Sequence, residues 1–236
     1  MNYHELHFHE IDSTNNYLKN SYRLLNNFTF VSAGYQNKGK GRNDRLWLSE
    51  KGQNLMFSFL IKDENLLKQS AIISLLTAVE IAKVLEQYKI NDVSIKWPND
   101  VLTSDKQVCG ILAEAQLPDY LVVGVGLNVN QKTFPSNLRR PASSLSLILN
   151  QEIEINELKN HIYERIISSL TKVNIKESLD YLRKHNYLVG KKVKTIVNNQ
   201  LFIGEVIDID DSFCLQIATH GMLLHIDSGE IEIDED

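Results

Sequence analysis

The spacing of hydrophobic positions changes from one segment of the chain to the next, and each spacing predicts one kind of element. Residues 54–61 are almost continuously apolar and predict a buried strand, whereas the apolar residues within 72–85 recur at helical spacing and predict a core helix. Two further apolar runs, 108–115 and 120–129, predict strands that form a hairpin. An amphipathic stripe within 155–170 predicts a second long helix. Together these elements predict an α+β fold with a mixed sheet.

The first residues predict a strand followed by a helix. The alternating segment 5–10 favours an opening strand, and Ser13 is predicted to cap a helix that extends through Leu25. His7 and His9 would share one face of that strand. No third ligand accompanies them, so we predict no metal site.

A change in composition near Asn186 indicates a second, smaller domain. A helix predicted around 176–185 ends there, and the rest of the chain consists of short apolar runs separated by turn dipeptides such as Asn198-Asn199. The predicted strands of this part are 193–197, 201–209, 213–218, 222–226 and 230–233. We therefore predict two domains, residues 1–185 and residues 186–236. The second is a small β-barrel that must pack on the first to be stable.

The composition is typical of a compact cytoplasmic protein. The chain has 236 residues, of which 43% are hydrophobic. No apolar run approaches the roughly 18–20 residues needed to cross a bilayer, and the N-terminus lacks the apolar segment of a secretion signal. The two cysteines lie far apart and exclude a disulfide framework. The net charge of −5, from 25 basic and 30 acidic residues, argues against a protein that holds DNA through its phosphates.

The most specific chemistry lies in the glycine-containing segment 34–47, which we call the basic loop. Its glycines Gly39 and Gly41 permit a sharp turn and a close approach to a ligand. Its cations and its one tryptophan are Lys38, Lys40, Arg42, Arg45 and Trp47. Cations bind phosphate or carboxylate and an indole offers a flat face, so the loop predicts an anionic, partly planar ligand. It matches neither a Walker A loop nor a dinucleotide-binding turn, and an ordinary basic surface loop is the alternative.

A second motif, Lys-Trp-Pro-Asn-Asp, occupies residues 96–100. Residues 93–95 alternate as in a half-buried strand, and Pro98 ends that strand. Lys96 is therefore predicted to lie at the end of a rigid element. Asp100 is interpreted as a turn residue. The alternative is an ordinary corner between a strand and a turn, with a solvated lysine.

In this order and spacing, the two motifs resemble the biotin–protein ligase family. The resemblance covers nearly the whole chain and includes four more segments, 13–15, 109–114, 123–130 and 142–145. It implies a catalytic domain of the biotin/lipoate ligase type at 1–185 and an SH3-like barrel at 186–236. The implied enzyme uses ATP to form biotinoyl-5′-AMP with release of pyrophosphate. It then attaches biotin to a lysine of a biotin carboxyl carrier domain, often of acetyl-CoA carboxylase, and releases AMP.

The resemblance also implies roles for individual residues. Ser13 and Thr14 would hydrogen-bond the ureido head of biotin. The implied biotin site comprises Ser13, Thr14, Asn15, Gln36, Lys40, Gly41, Arg42, Lys96 and Gly110. The implied nucleotide site comprises Arg45, Trp47 and Asn128. ATP would bind as its Mg²⁺ complex, without a metal ion held by the protein alone.

Charge indicates which residues carry the reaction. The carboxylate of biotin must attack the α-phosphate of ATP, and cations must stabilise the two anions that are brought together. We predict that Lys96 bridges the two anions, that Arg42 holds biotinyl or phosphate oxygens and that Arg45 holds the pyrophosphate side. Asp100 is a candidate to accept the proton of the attacking lysine, although a plain turn aspartate is the simpler interpretation.

Two positions of the basic loop depart from the family pattern. Lys40 replaces an arginine, which keeps the charge and loses the planar fork. Asp44 stands at a glycine position and adds a negative charge beside the predicted phosphate site. We still expect activity. Residues 132–141 predict a mobile loop. Arg139 and Arg140 are interpreted there as a solvated basic pair, and contact with phosphate is the alternative.

The predicted partners are biotin, ATP and the carrier domain, without DNA or membrane. Only 12 residues precede Ser13, too few for a winged-helix domain, so we expect a single-function ligase that is a monomer or homodimer. One alternative is a lipoate or octanoate ligase, which a longer, wholly apolar pocket would favour. The other is a non-enzymatic biotin or nucleotide sensor, in which Asp44 has impaired the chemistry.

Overall fold

The computed structural model describes residues 3–43, 45–172 and 174–234 and contains two sheets. Its helices are α1 (Thr14–Ser21), α2 (Glu64–Leu67), α3 (Ser70–Gln87), α4 (Leu145–Leu149), α5 (Ile155–Thr171) and α6 (Ile175–Lys184). The strands of the first sheet are β1 (His4–Phe8), β2 (Thr29–Ala33), β3 (Asn54–Ile61), β4 (Val93–Lys96), β5 (Asp100–Thr103), β6 (Lys106–Gln116) and β7 (Tyr120–Asn128). Those of the second are β8 (Lys192–Val197), β9 (Gln200–Ile209), β10 (Leu215–Thr219), β11 (Met222–Ile226) and β12 (Glu232–Ile233).

The first sheet has the strand order β1-β2-β3-β7-β6-β5-β4. Strands β1 and β2 run parallel, and the other neighbouring strands pair antiparallel, which confirms the predicted mixed sheet. Strands β3 and β7 are buried along their whole length, because α1 packs on one face of the sheet and α3 and α5 pack on the other. The predicted strand at 54–61, the hairpin of β6 and β7, and the helices α3 and α5 are confirmed.

The main hydrophobic core lies between the sheet, α3 and α5. Alternate residues of β3, such as Phe57 and Phe59, point into it and pack with Phe30 and Tyr163. The other face of β3 carries Leu60, which packs in a smaller cluster with α1. Helix α3 is buried in the main core. In the described segments, no helix is long and apolar enough to cross a membrane.

The second sheet is antiparallel throughout, in the order β11-β10-β9-β8-β12, consistent with a small barrel-like domain. Its buried apolar residues include Val193, Val206, Ile209, Leu215, Ile217 and Ile226. It packs against the first sheet at β4. There, Trp97 Nε1 donates a hydrogen bond to the Phe213 carbonyl at 3.1 Å.

Two predicted boundaries near the N-terminus and the second motif are wrong. Helix α1 ends at Ser21, because the chain tightens into a single 3₁₀ turn, Tyr22–Leu24, and leaves Leu25 outside the helix. Asp100 is not a turn residue, since it begins β5 and pairs with Lys96 on one side and Gly110 on the other.

A third boundary, in the second sheet, is wrong at Phe213. The carboxylate of Asp210 accepts hydrogen bonds from the amides of Ser212 and Cys214, both at 2.9 Å, and folds this segment into a turn. Phe213 adopts a φ of 65° there, so β10 begins only at Leu215. Strand β2 and the short helices α2 and α4 were not predicted.

Candidate functional site

A cavity of about 290 Å³ opens on the face of the first sheet that also carries α1. Its wall combines five parts of the chain. These are the start of α1, the basic loop, the segment 97–100 that leads from β4 into β5, the loop between β7 and α4, and residues Glu230 and Ile231 next to β12. Strands β6 and β7 form its floor. A concave site assembled from loops at one face of a rigid sheet is the usual arrangement for a small-molecule site.

Glycines make the floor of this cavity flat. Gly110 and Gly126 are paired across β6 and β7, and the indole of Trp47 lies directly on them. A Cβ on Gly126 would be 2.4 Å from Trp47 Cε2, and one on Gly110 would be 2.8 Å from Trp47 Cζ3. Gly124 likewise leaves space for Asn15, because a Cβ on Gly124 would be 2.2 Å from Asn15 Oδ1. The glycines therefore allow close approach of two side chains.

Hydroxyl and amide groups meet at the end of the cavity nearest α1. The backbone amide of Thr14 donates to Gln36 Oε1 at 2.7 Å, and Thr14 Oγ1 lies 2.6 Å from Ser58 Oγ. Ser58 Oγ donates to Asn15 Oδ1 at 2.5 Å, and Asn15 Nδ2 donates to Glu114 Oε2 at 2.7 Å. This polar chain of neutral groups, with one carboxylate at its end, suits an uncharged polar ligand head.

Sequence reasoning missed Ser58 as a member of this chain. The signal was present, because Ser58 is the one hydroxyl residue in the buried run 54–61 and is fully buried. Ser13 was correctly predicted as a helix cap, since its Oγ accepts a hydrogen bond from the amide of Asn16 at 3.4 Å. Ser13 also lines the cavity.

Cations surround the opposite end of the cavity. The cationic side chains in its lining are Lys40, Arg42, Arg45, Arg139 and Arg140. Arg42 donates to Asn99 Oδ1 at 3.2 Å and to the Gly229 carbonyl at 2.9 Å. Burial lowers the pKa of Arg42, although a guanidinium remains protonated near neutral pH. The cavity thus joins a neutral polar end to a strongly positive end.

The prediction that Arg139 and Arg140 form a solvated basic pair is wrong. Arg139 forms ion pairs with Glu230 and Glu232, and Arg140 Nη1 lies 2.5 Å from Asp100 Oδ2. These carboxylates come from distant parts of the chain, so no local pattern in the sequence could indicate the pairs.

Glu230 connects the second sheet to the cations of the cavity. Its carboxylate pairs with Arg45 at 2.5 Å and also with Arg139. Burial opposes ionisation of Glu230, but the hydrogen bonds from Arg45 and Arg139 outweigh it and lower its pKa to about 2. The second sheet therefore closes the positive end of the cavity with a permanent negative charge.

Lys96 lies on the same face of the sheet as the floor glycines, beyond Asp100. Register pairs Lys96 with Asp100, Asp100 with Gly110, and Gly110 with Gly126. Lys96 is only 3% exposed and does not line the cavity, whereas the next four residues do. Burial and the charge of Arg140 lower the pKa of Lys96 to about 7, against the opposing effect of Asp100.

Asp100 is a buried carboxylate that lines the cavity. Burial raises its pKa, and the neighbouring charges of Arg140 and Lys96 oppose that shift. Its Oδ1 accepts a hydrogen bond from Gln107 Nε2 at 2.9 Å. Asp100 thus stands between two cations at the edge of the floor.

The structure brings the remaining predicted site residues together. Those that line the cavity are Ser13, Thr14, Asn15, Gln36, Lys40, Gly41, Arg42, Arg45, Trp47, Gly110 and Asn128. Within the described residues, neither Trp47 Nε1 nor Asn128 Oδ1 has a hydrogen-bond partner, although both atoms are buried. Such atoms are available to a ligand. Asp44 lies outside the described residues.

Comparison with known proteins identifies the family of this chain. The profile of the Biotin/lipoate A/B protein ligase family matches residues 8–128. The chain belongs to this family. Among curated members, it is 28% identical to the Bifunctional ligase/repressor BirA of Bacillus subtilis (strain 168), over 96% of this chain and 73% of that protein. It is 25% identical to the Biotin--[acetyl-CoA-carboxylase] ligase of Mycobacterium tuberculosis, over 84% of this chain and 76% of that protein.

A solved structure from the family matches nearly the whole fold. The biotin protein ligase from Aquifex aeolicus, in complex with biotin and ATP, superposes with a TM-score of 0.86. The two chains are 30% identical, and the match covers 99% of each. It therefore includes the second sheet as well as the first.

Proposed function

We propose that this member of the biotin/lipoate ligase family is a biotin–protein ligase. It activates biotin with ATP as biotinoyl-5′-AMP and transfers the biotinyl group to a lysine of a biotin carboxyl carrier domain. The observation that carries the proposal is the single cavity that joins a neutral hydrogen-bonding end to a cluster of cations around Trp47. The fold shared with a ligase whose structure holds biotin and ATP supports it.

The neutral end is proposed to hold the ureido head of biotin. A ureido group offers N–H donors and a carbonyl acceptor. The hydrogen-bonded pair Thr14 and Gln36, together with Ser13 in the cavity lining, offers matching groups. Asn15 is placed by Ser58 and Gly124, so it reaches the same region. Gly110 lies in the floor beneath the indole of Trp47, and Lys40, Gly41 and Arg42 are proposed to surround the carboxylate of the ligand.

The positive end is proposed to hold ATP, which arrives as its Mg²⁺ complex. Trp47 presents a flat ring for stacking on the base, and Asn128 Oδ1 is free to accept a hydrogen bond from an amino group. Arg45 would pair with the pyrophosphate side, and Arg42 with biotinyl or phosphate oxygens. Lys96, which is paired with Asp100 just outside the cavity lining, adds positive charge. These cations stabilise the negative charge that develops as two anions react.

In the first step, a carboxylate oxygen of biotin bonds to the α-phosphorus, and pyrophosphate leaves with the electrons of the broken bond. In the second step, the amine of the acceptor lysine attacks the carbonyl carbon of the mixed anhydride, and AMP leaves. The amine must be neutral to attack, although its reference pKa is about 10.4. Asp100 is the proposed acceptor of the proton that the lysine amine loses.

The second sheet is proposed to be part of the working enzyme, with the division at 1–185 and 186–236. Its segment at Gly229–Glu230 contacts Arg42 and Arg45, so it helps to fix the basic loop. We further predict a biotin carboxyl carrier domain as the acceptor and a cytoplasmic location. We also predict a monomeric or homodimeric state and no DNA binding. Gel filtration and DNA-binding assays of the full chain check the last two.

The two alternatives differ from this proposal in one measurement. A lipoate or octanoate ligase would show ATP–pyrophosphate exchange with those acids and little with biotin. A sensor would bind biotin or ATP without exchange. The hydroxyl and amide chain at the neutral end favours biotin, because an alkyl acid has no polar head to satisfy it. We therefore expect exchange that depends on biotin.

A further inference from the structure

Glu114 is the carboxylate that ends the polar chain at the neutral end of the cavity. It lies on β6, does not line the cavity, and its Oε1 accepts a hydrogen bond from Lys19 Nζ at 2.5 Å. Its Oε2 accepts from Asn15 Nδ2 at 2.7 Å. Burial opposes ionisation of Glu114, but the hydrogen bonds from Lys19 and Asn15 outweigh it and lower its pKa. An ionised carboxylate has no proton to donate, so Glu114 can only accept.

The carboxylate of Glu114 determines which way round the amide of Asn15 lies. Its NH₂ group must face Glu114, which turns the amide oxygen Oδ1 toward Ser58 Oγ, 2.5 Å away. A second contact favours the same orientation, because Asn15 Nδ2 also donates to the Leu112 carbonyl at 3.4 Å. Since an amide oxygen can only accept, the single proton of the Ser58 hydroxyl is committed to Asn15.

The same direction of donation extends to Thr14. Thr14 Oγ1 and Ser58 Oγ are buried and lie 2.6 Å apart, so one hydroxyl must donate to the other. Ser58 has already used its proton, so Thr14 is the donor. A longer contact from Thr14 Oγ1 to Gln36 Oε1, at 3.1 Å, competes for this proton, but that oxygen already accepts from the Thr14 amide at 2.7 Å. Thr14 Oγ1 therefore offers lone pairs, and no proton, to a ligand in the cavity.

We propose that Glu114 is a specificity-determining positioning residue that makes Thr14 Oγ1 a hydrogen-bond acceptor. It acts through Asn15 and Ser58. The neutral end then selects a ligand head that donates an N–H to Thr14, as a cyclic urea does. A head of the same shape with an oxygen at that place would set two acceptors against each other in a buried site. The inference rests on the proposed ligase function and names the group that decides how its acid substrate is recognised.

Glu114→Gln should reverse the polar chain without changing its shape. Lys19 can only donate, so it holds the oxygen of the new amide and turns the new NH₂ group toward Asn15. Asn15 must then turn its own oxygen toward that NH₂ group and its Nδ2 toward Ser58. Ser58 accepts from Asn15 and donates to Thr14, whose proton becomes available to the ligand. The variant thus converts Thr14 from an acceptor for the ligand into a donor.

The test compares biotin with two cyclic carbamate analogues, in each of which one ureido N–H is replaced by oxygen. The assay is acid-dependent exchange of pyrophosphate into ATP by the full chain. For one of the two analogues, we expect wild type to show a kcat/KM at least about 100-fold below that for biotin, because its buried acceptor is left unpaired. We call this ratio the donor preference.

In Glu114→Gln we expect the donor preference to fall to about tenfold or less. The KM for biotin should rise about tenfold, while kcat and the KM for ATP stay within about threefold of wild type. A general loss of structure would change all of these together. Ser58→Ala breaks the polar chain one contact nearer the ligand and frees the proton of Thr14, so it should lower the donor preference as well.

Glu5→Gln is the matched control. Glu5 is also a partly exposed carboxylate that accepts from a lysine, Lys159, and from a hydroxyl, Ser32, but it does not line the cavity or contact the polar chain. Its loss should lower the free energy of unfolding and leave the donor preference and both KM values as in wild type.

Three results would overturn the inference. These are a wild-type chain that uses both carbamates nearly as well as biotin, a Glu114→Gln variant that keeps the donor preference, and an equal fall of that preference in Glu5→Gln. Absence of biotin-dependent exchange in the wild-type chain is a different result, since it contradicts the proposed function itself. Exchange with biotin by the wild type together with an unchanged donor preference in Glu114→Gln contradicts only the role of Glu114.

Discussion

The indole of Trp47 can lie on the sheet because two paired strand positions carry no Cβ. Gly110 and Gly126 leave a flat strip, and the ring rests there with its Nε1 free of hydrogen bonds to the described residues. The sequence motif predicted that Trp47 belongs to the site. It could not indicate which glycines receive the ring, because that depends on the register of β6 and β7.

A methyl group at Gly126 should displace the indole. In Gly126→Ala the new Cβ would be 2.4 Å from Trp47 Cε2, so the ring must leave the floor. If the ring stacks on the base, we expect the KM for ATP to rise about tenfold, the scale of one aromatic stacking contact. The measurement is ATP dependence of biotin-driven pyrophosphate exchange. Trp47→Ala provides the control, because Gly126→Ala should add nothing further in that background. A full additional loss there would contradict this account of the floor.

The buried charge of Lys96 should make stability depend on pH. Its pKa is lowered to about 7 by burial, Arg140, Arg139 and Lys191, against the opposing effect of Asp100. Above that pKa the folded chain has released a proton that the unfolded chain keeps up to about pH 10.4, so stability rises with pH over this window. We expect wild type to gain up to about 1 kcal/mol per pH unit relative to Lys96→Met between about pH 7 and pH 9. Urea unfolding of both proteins measures this, and a constant difference would contradict it.

At the scale of elements, local periodicity predicts the long segments and fails for the short ones. The apolar run of β3 and the helical spacing of α3 each extend over enough residues to define their type. Strand β5 has only four residues and begins with Asp100, a residue typical of turns, so no pattern indicates it. Its pairing with β4 and β6 determines it instead. The same limit applies to the candidate site. The strand position of Asp100 and its contacts with Arg140 and Gln107 could not be predicted, because they depend on the pairing of distant segments.

The contact between α1 and β3 should determine biotin affinity through Ser58. Its hydroxyl lies 2.6 Å from Thr14 Oγ1 and 2.5 Å from Asn15 Oδ1. In Ser58→Ala both groups lose a buried partner, which costs about 1–3 kcal/mol. We expect the KM for biotin to rise about tenfold and the KM for ATP to stay unchanged.

Thr77→Val is the matched control for Ser58→Ala. Thr77 is a buried hydroxyl on α3 that donates to the Ile73 carbonyl at 2.8 Å and does not line the cavity. Its loss should lower the free energy of unfolding and leave both KM values as in wild type. If Ser58→Ala has the wild-type KM for biotin, the hydrogen bonds of Ser58 do not position the residues that bind biotin.

At the scale of the whole molecule, the two sheets enclose one cavity. The first supplies its floor, and the second closes its positive end through Glu230, which pairs with Arg45 and Arg139. The sequence predicted a small β domain that packs on a larger one. It could not place Glu230 against cations about 90 to 185 positions earlier, since such pairs exist only in the folded chain.

Glu230 should stabilise the folded chain at neutral pH and not in acid. The hydrogen bonds from Arg45 and Arg139 outweigh burial and lower its pKa to about 2, below the usual value of 4.5. The stabilisation is therefore present above about pH 4.5 and is lost as the pH falls through about 2. Because the group is partly exposed, we expect Glu230→Gln to cost only about 1 kcal/mol at pH 7, with a smaller difference near pH 3.

The matched control is Glu10→Gln. Glu10 pairs with Lys51 on an exposed surface, and it touches neither the second sheet nor the cavity. Thermal unfolding at the two pH values measures both variants. An effect of Glu230→Gln that is equal at both pH values would contradict the ion-pair account of the contact between the sheets.

The most direct test of the whole account is transfer of labelled biotin to a purified biotin carboxyl carrier domain by the full chain with Mg-ATP. The account predicts labelling of the carrier lysine that requires ATP, with pyrophosphate released first and AMP afterwards. Lipoate and octanoate, supplied in parallel to their own acceptor domain, should give no comparable labelling. Labelling with lipoate or octanoate and not with biotin, or binding of biotin without any transfer, would contradict the proposed ligase function.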